Sequence, residues 1–228
     1  MFLKCRATQA EYFDSPGRPA AEIAEFYATL ARVNRFFRFA EPFQNLIPKR
    51  LGQDQSRSLR ILDLGAGDGA LGNLLQDWAA RRGWNWSFAN LDISLTGLRL
   101  SRSGGIVGSV VALPFVNGSF DVVIASQMTH HLVSDEEILR HLREAWRVAS
   151  RAVFLADLHR GPVLYGLLWV LFHLKSYPAH FRADAMLSVR RGFRVPELAE
   201  YARRAGMAGA RVRVRYCTRV ILEAMKPS

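Results

Sequence analysis

The run Ile61-Leu62-Asp63-Leu64-Gly65-Ala66-Gly67-Asp68-Gly69 constrains this chain more than any other segment. Arg60 to Leu64 is an apolar stretch of strand length, the kind that is buried on both faces of a parallel sheet. It carries one acid and then breaks into alternating glycines. After Gly69, residues Ala70, Leu71, Leu74, Leu75 and Trp78 recur at helical spacing. The order is therefore strand, glycine loop, helix. Glycines let a ligand approach the main chain closely. The helix that follows turns its free N–H groups toward that ligand. This is the layout of a nucleotide-type cofactor site.

Gly67-Asp68-Gly69-Ala70-Leu71-Gly72 also fits the dinucleotide pattern G-x-G-x-x-G, a weak signal by itself. Two carboxylates argue against a dinucleotide. Asp63 precedes the first glycine and Asp68 lies inside the turn, so both would face a pyrophosphate with negative charge. A cationic ligand would welcome them, and S-adenosylmethionine carries an ammonium and a sulfonium. A second apolar run, Trp86 to Leu91, ends in Asp92, 23 residues beyond Gly69. An acid about 20 residues past such a loop can accept both ribose hydroxyls. Asp92 can equally cap a helix over Ser94 to Arg102.

A third landmark is Leu113-Pro114-Phe115, followed by the turn signal Asn117-Gly118 and the buried run Phe120 to Ala125. Taken in order, Asp63-x-Gly65-x-Gly67-x-Gly69, Asp92, Leu113-Pro114-Phe115 and Phe120-Asp121-Val122-Val123 resemble the class I methyltransferases that use S-adenosylmethionine. The resemblance covers about residues 55 to 160 and is nearest to the small-molecule branch of ubiquinone and menaquinone methyltransferases. The flanks look like methyltransferases encoded beside type III polyketide synthases. The resemblance implies that Asp63 and Gly65 sit near the methionine end of the cofactor, with Gly67 and Gly69 as the loop against it. Asp92 and Ile93 would hold the ribose side. Ser109 and Val110 would meet the adenine, with Ser109 where the family usually has an acid. Ser126 and Gln127 would line the methyl-transfer centre.

Charge is unevenly placed. Residues 1–139 carry 14 Lys/Arg and 14 Asp/Glu, whereas residues 140–228 carry 17 and 6, the whole net +11 of the chain. A basic half can attract nucleic acid, anionic lipid or an acidic protein, or be a solvated surface. Arg211, Arg213 and Arg215 alternate with Val212 and Val214, which is an exposed strand face and not a groove-reading helix, so nucleic acid is not the expected partner. Cys5 and Cys217 are far apart and have no metal-ligand spacing, consistent with a reducing compartment, no disulfide frame and no metal. Met1 to Ala10 has no long apolar core, so a cytoplasmic protein is expected.

Val163 to Leu174 carries no formal charge but is too short to span a bilayer. It follows the predicted fifth strand, Ala152 to Asp157, where methyltransferases of this type insert a substrate cap. Tyr165 and Trp169 are the expected acceptor contacts. The alternatives are a membrane-interface foot on anionic lipid, helped by Arg160, Lys175 and Arg182, and an ordinary buried helix. Ala20 to Ala40 has a helical apolar stripe at Ile23, Phe26, Tyr27, Leu30, Val33 and Phe37. It reads as an N-terminal lid, with Tyr12, Asn34 and Arg35 as contacts.

Methyl transfer needs alignment in a dry site, and a hydroxyl nucleophile also benefits from a base. His131 is the first candidate, ahead of His130 and His159; each can also serve as a structural cap. The chain is expected to be a single domain over 1–228: lid 1–50, cofactor core 55–160, cap 161–195, closing helix and strands 196–228. The expected fold is an α/β three-layer sandwich, a Rossmann-like seven-stranded, mostly parallel sheet with an antiparallel C-terminal strand. The expected activity is methylation of a hydrophobic small molecule, on an aromatic or polyketide-type hydroxyl. C-methylation of a quinone-like ring and a non-catalytic cofactor-binding partner are the rivals. An NAD-dependent reductase would need a Tyr-x-x-x-Lys pair after the fourth strand, and the sequence has none there.

Overall fold

The computed structural model describes residues 3–15, 17–52 and 58–227. The predicted core boundary at 55 falls outside them. The first strand, β1, opens at Ser58 and runs to Leu64. Two helices precede it, α1 (Ala20–Phe36) and α2 (Glu41–Leu51). After the glycine loop come α3 (Ala70–Ala80), β2 (Asn85–Asp92), α4 (Leu95–Arg99) and the two-residue β3 (Ile106–Val107). The second half holds β4 (Phe120–Ser126), α5 (Asp135–Val148), β5 (Ala149–Leu158), α6 (Pro162–Leu174) and α7 (Ala179–Arg191). It closes with α8 (Val195–Arg204), β6 (Arg211–Arg215) and β7 (Arg219–Met225).

The seven strands lie in the order β3-β2-β1-β4-β5-β7-β6. β1 to β5 are parallel, and β7 runs antiparallel to both its neighbours, β5 and β6. Strand order reverses between β1 and β4, so the strand ends there open a crevice of the kind that receives ligands in such sheets.

Alternation along the strands builds two cores. Leu62, Leu64, Val123, Ala125, Val153 and Leu155 face α5 and α8, where Ile138, Leu142 and Leu198 are buried. Ile61, Val122, Ile124 and Phe154 face the opposite side, against Phe43, Leu46 and Ile47 of α2 and Leu71 and Leu75 of α3. Thus α2, inside the segment expected to be lid, is part of the sandwich. Ser134 opens α5 as a reciprocal capping box with Glu137.

A third apolar cluster roofs the strand ends. It joins Val33 of α1 to Leu164, Leu168 and Phe172 of α6 and Phe181 and Val189 of α7. The expected cap is therefore a helix pair. Leu164, Leu168 and Phe172 recur every four residues and turn inward, which leaves Trp169 on the outer face, 53% exposed. Of the three basic residues expected to flank a membrane foot, Arg160 is buried and ion-paired with Glu197, while Lys175 and Arg182 are exposed. No helix among the described residues is long and apolar enough to cross a membrane.

Candidate active site

The glycine loop is closed from two sides. Gly65 has φ 67°, and a Cβ there would sit 2.0 Å from Cγ of Met128. At Gly67, φ 57°, a Cβ would strike the ring of Tyr27 at 2.7 Å. Only glycine fits at either position, and α1 lays the ring of Tyr27 over the loop. Asp92, at the end of β2, accepts from the amide of Gly67 at 2.8 Å and from that of Ser94 at 2.7 Å. Its carboxylate ties the loop to the start of α4, while Ser94 provides the helix cap by accepting from Gly97. Each oxygen of Asp92 keeps a further lone pair for a ligand hydroxyl. Ile93 beside it is 78% exposed at the lip of the crevice.

Asp63 is 1% exposed and its Oδ2 has no hydrogen-bond partner among the described residues. Burial, with Asp92 and Asp68 adding repulsion, pushes it up to about 8. A carboxylate in that setting lacks a cation. Burial and the same two acids also push the Tyr27 phenol upward. Ser109 forms an isolated bridge with Ala112, and Val110 packs on the core below. Ser126 ends β4. Gln127 follows with φ 51°, its amide nitrogen donating to Asn34 of α1 at 2.9 Å.

Beside this crevice, under the roof, is a cleft of about 760 Å³ including its open mouth. Its walls are mainly apolar, from Phe26, Leu30, Leu158, Leu164, Leu168 and Phe181. Gln127, His130 and His131 also line it; Tyr165, Trp169 and His159 do not. Trp169 lies on the outer face of α6, and Tyr165, half-buried, packs against the roof cluster. His159 turns its Nδ1 to the carbonyl of Cys217 at 3.2 Å.

His130 is 2% exposed. Its Nδ1 lies 2.7 Å from Oδ1 of Asp157 at the end of β5, and its backbone N–H donates to Oδ2 at 3.1 Å. An ionised Asp157 accepts only, so Nδ1 carries the proton and Nε2 presents a lone pair. Burial drives Asp157 up, but His130 and the backbone N–H groups outweigh it and hold the carboxyl below its ordinary value. Nε2 lies 3.8 Å from Oε1 of Glu11. That oxygen is held by Ser188 at 2.8 Å and by Arg191 at 3.4 Å. His131 is a third exposed, with Nδ1 2.7 Å from Asp14. Burial lowers its affinity for a proton, but the Asp14 hydrogen bond and Glu11 raise it further. Glu11 is the site residue that patterning missed: it lies outside any periodic element, and only the chain's path brings it here.

Glu11, His130 and His131 each place one possible metal-ligand atom within 4.8 Å of the others. Arg191 puts a fixed positive charge against that set, and both histidines spend Nδ1 on a carboxylate. The arrangement suits moving a proton better than holding a dication.

Residues 62–156 match the family model of a methyltransferase domain. That stretch is 95 of the chain's 228 residues. The match runs from within β1 to within β5 and takes in the glycine loop and His130, stopping one residue short of Asp157. S-adenosylmethionine is the cofactor named for several solved structures that share this fold. The glycine loop under Tyr27, the strand-end Asp92 with lone pairs to spare and the uncompensated buried Asp63 fit that cationic nucleoside. No curated protein sequence matches the chain. Among solved structures, it is similar to an S-adenosylmethionine-dependent methyltransferase from Methanococcus maripaludis, with 16% identity and a TM-score of 0.64 over 94% of this chain and 98% of that one. A methyltransferase from Aquifex aeolicus aligns at 13% identity and a TM-score of 0.57, over 92% and 99%. The plantazolicin methyltransferase, solved with S-adenosylhomocysteine, aligns at 10% identity and 0.67, over 95% and 93%. These likenesses bear on the fold.

Proposed function

We propose that the apolar cleft is the methyl-acceptor site and that the enzyme methylates a hydroxyl on a hydrophobic small molecule, with His130 as the base. The buried Asp157–His130 pair on the cleft wall carries this reading. Bound S-adenosylmethionine supplies a methyl group on a sulfonium, already activated toward displacement. The protein's part is to dry, align and deprotonate. Phe26, Leu30, Leu164 and Leu168 exclude water from an aromatic or aliphatic body. The acceptor oxygen gives its proton to Nε2 of His130 as the new C–O bond forms and the C–S bond breaks. Asp157 holds the ring in the competent tautomer and, with Glu11, stabilises the imidazolium.

His130 takes precedence over His131, because Asp14 already engages His131 in an ion pair that favours its charged form. The test measures S-adenosylhomocysteine release with a panel of hydrophobic phenols, quinols and alkyl alcohols. His130→Asn should lower turnover by about 10²-fold and leave cofactor affinity unchanged, the usual yield of a general base. His131→Asn should cost far less. A product methylated on carbon, or full turnover in His130→Asn, overturns the reading.

A further inference from the structure

The described part of the chain buries three arginines almost completely: Arg160, Arg191 and Arg219. Two are ion-paired, Arg160 with Glu197 and Arg191 with Glu11 and Asp14. Arg219 is the exception. It is 5% exposed, and among the described residues no carboxylate oxygen lies within 4.0 Å of its guanidinium. Its one hydrogen bond from the side chain there runs from Nη1 to the carbonyl of Arg38, just past α1, at 3.1 Å. Glu41 is the opposing charge that acts on it; Arg215, Tyr216 and Asn45 occupy its Oε1, while its buried Oε2 makes no hydrogen bond among the described residues. Burial outweighs Glu41 and pushes Arg219 down to about 10. Removing a guanidinium from water without a counter-charge is costly, and a guanidinium has five N–H donors to satisfy.

Arg219 also lines the acceptor cleft, as does Thr218 beside it. Its place in the sheet separates it from the cofactor loop. β7 pairs with β5 and puts Arg219 opposite Leu158, whereas the glycine loop leaves β1. Three strand spacings of about 4.8 Å lie between β1 and β7, roughly 14 Å in all. The other charged groups facing the cleft, Glu11, Asp184 and His131, are already engaged, His131 by Asp14. Glu11 is held by Ser188 and Arg191, and Asp184 accepts from the amides of Tyr12 and Phe13.

We infer that Arg219 is an anion-recognition residue of the acceptor site, so the acceptor is an apolar molecule bearing one carboxylate-type or other oxyanion group. The inference rests on reading the cleft as the acceptor site. A guanidinium fork matches a planar or tetrahedral oxyanion by paired N–H donors, and the apolar walls receive the rest of the molecule. A neutral phenol of the same size would leave the guanidinium uncompensated and bind more weakly.

A matched pair of dyes tests this without knowing the acceptor. 1-Anilinonaphthalene-8-sulfonate and N-phenyl-1-naphthylamine share one ring system, and only the first carries an anion. The wild-type protein should bind the sulfonate at least tenfold more tightly. Arg219→Met should remove that preference while the neutral dye stays within twofold, and melting temperature and S-adenosylmethionine affinity should be unchanged. Arg219→Lys, which keeps the charge, should retain part of the preference. Leu168→Trp, which fills the cleft, should abolish binding of both dyes. Equal weakening of both dyes in Arg219→Met would make the residue a shape element and overturn the inference. So would a loss of S-adenosylmethionine affinity with sulfonate binding intact. Turnover by His130→Asn is read separately, so a wrong base assignment leaves the dye result standing.

Discussion

Asp63 shows how one side chain can be tuned for a ligand at a cost to the empty fold. Its carboxyl is pushed up to about 8 by burial and by Asp92 and Asp68, against an ordinary value of 3.8. A carboxyl raised in the folded state contributes stability that is fully present below pH 3.8 and lost as pH rises through about 8. Asp63→Asn should therefore raise the melting temperature at pH 9 by about 5–15 °C and change it little at pH 4, the order expected for a few kcal/mol in a chain of this size. The same ionisation should serve the cofactor. S-adenosylmethionine affinity in the wild type should climb from pH 6 to 9 as the anion forms, and calorimetry of Asp63→Asn should give a flat, weaker profile. An affinity that ignores pH in the wild type would show that Asp63 does not face the cofactor's positive charge. Asp63 was legible in the sequence because an acid at the end of an apolar run is anomalous. His130 was legible as a candidate, but its pairing with Asp157 was not, because only the pairing of β4 with β5 brings the end of β5 beside His130.

At the scale of elements, local pattern located the strands, the glycine loop and the capped α5, because each announces itself within a dozen residues. It did not orient α6. Every position of Val163 to Leu174 is apolar apart from Tyr165, Gly166 and His173, so periodicity has no polar face to read. The contacts with α1 and α7 choose the inner face, Leu164, Leu168 and Phe172. Trp169 was the expected acceptor contact by size, and it lies outside, stacked on His173 with ring centroids 3.9 Å apart. The two neighbours therefore predict opposite phenotypes. Leu168→Ala should raise the Michaelis constant for the acceptor about tenfold or more and destabilise the fold by about 2–4 kcal/mol, as core Leu→Ala changes do. Trp169→Ala should leave acceptor kinetics within twofold. Equal effects from both would mean that α6 presents a different face to the cleft in solution. The lid was misjudged for a related reason: the stripe in α1 was plain, but α2 was not recognised as a separate helix that packs into the sandwich.

The molecule as a whole is fastened by its first residues. Residues 3–15 run back across the second half of the chain, between the sheet ends and α7. Arg6 donates to the carbonyls of His130, Leu132 and Arg191, and Ala7 donates to Arg190. The buried Arg160 donates to the carbonyl of Leu3. Glu11 and Asp14 complete the strap on Arg191, which also donates to the carbonyls of His130 and His131. One arginine of α7 thus holds the N-terminal segment, the turn of His130 and His131 and the cleft roof together. Part of the basic surplus of residues 140–228 is spent on this internal fastening, a use that the sequence, read as an outside partner surface or a solvated face, does not suggest. Arg191→Met keeps the bulk but leaves Glu11 a buried charge without its cation. Breaking a buried pair from one side costs about 3–5 kcal/mol, roughly 6–20 °C for a chain of this length. The loss should be local before it is global: trypsin should cut after Lys4 and Arg6 at temperatures well below the main unfolding transition, while the core resists. Acid should loosen the same strap, since Asp14 is held below its ordinary value by His131 and Arg191 and its contribution fades as pH falls below about 4. If Arg191→Met melts as the wild type does and resists trypsin equally, the strap is held by its backbone contacts and not by this charge cluster.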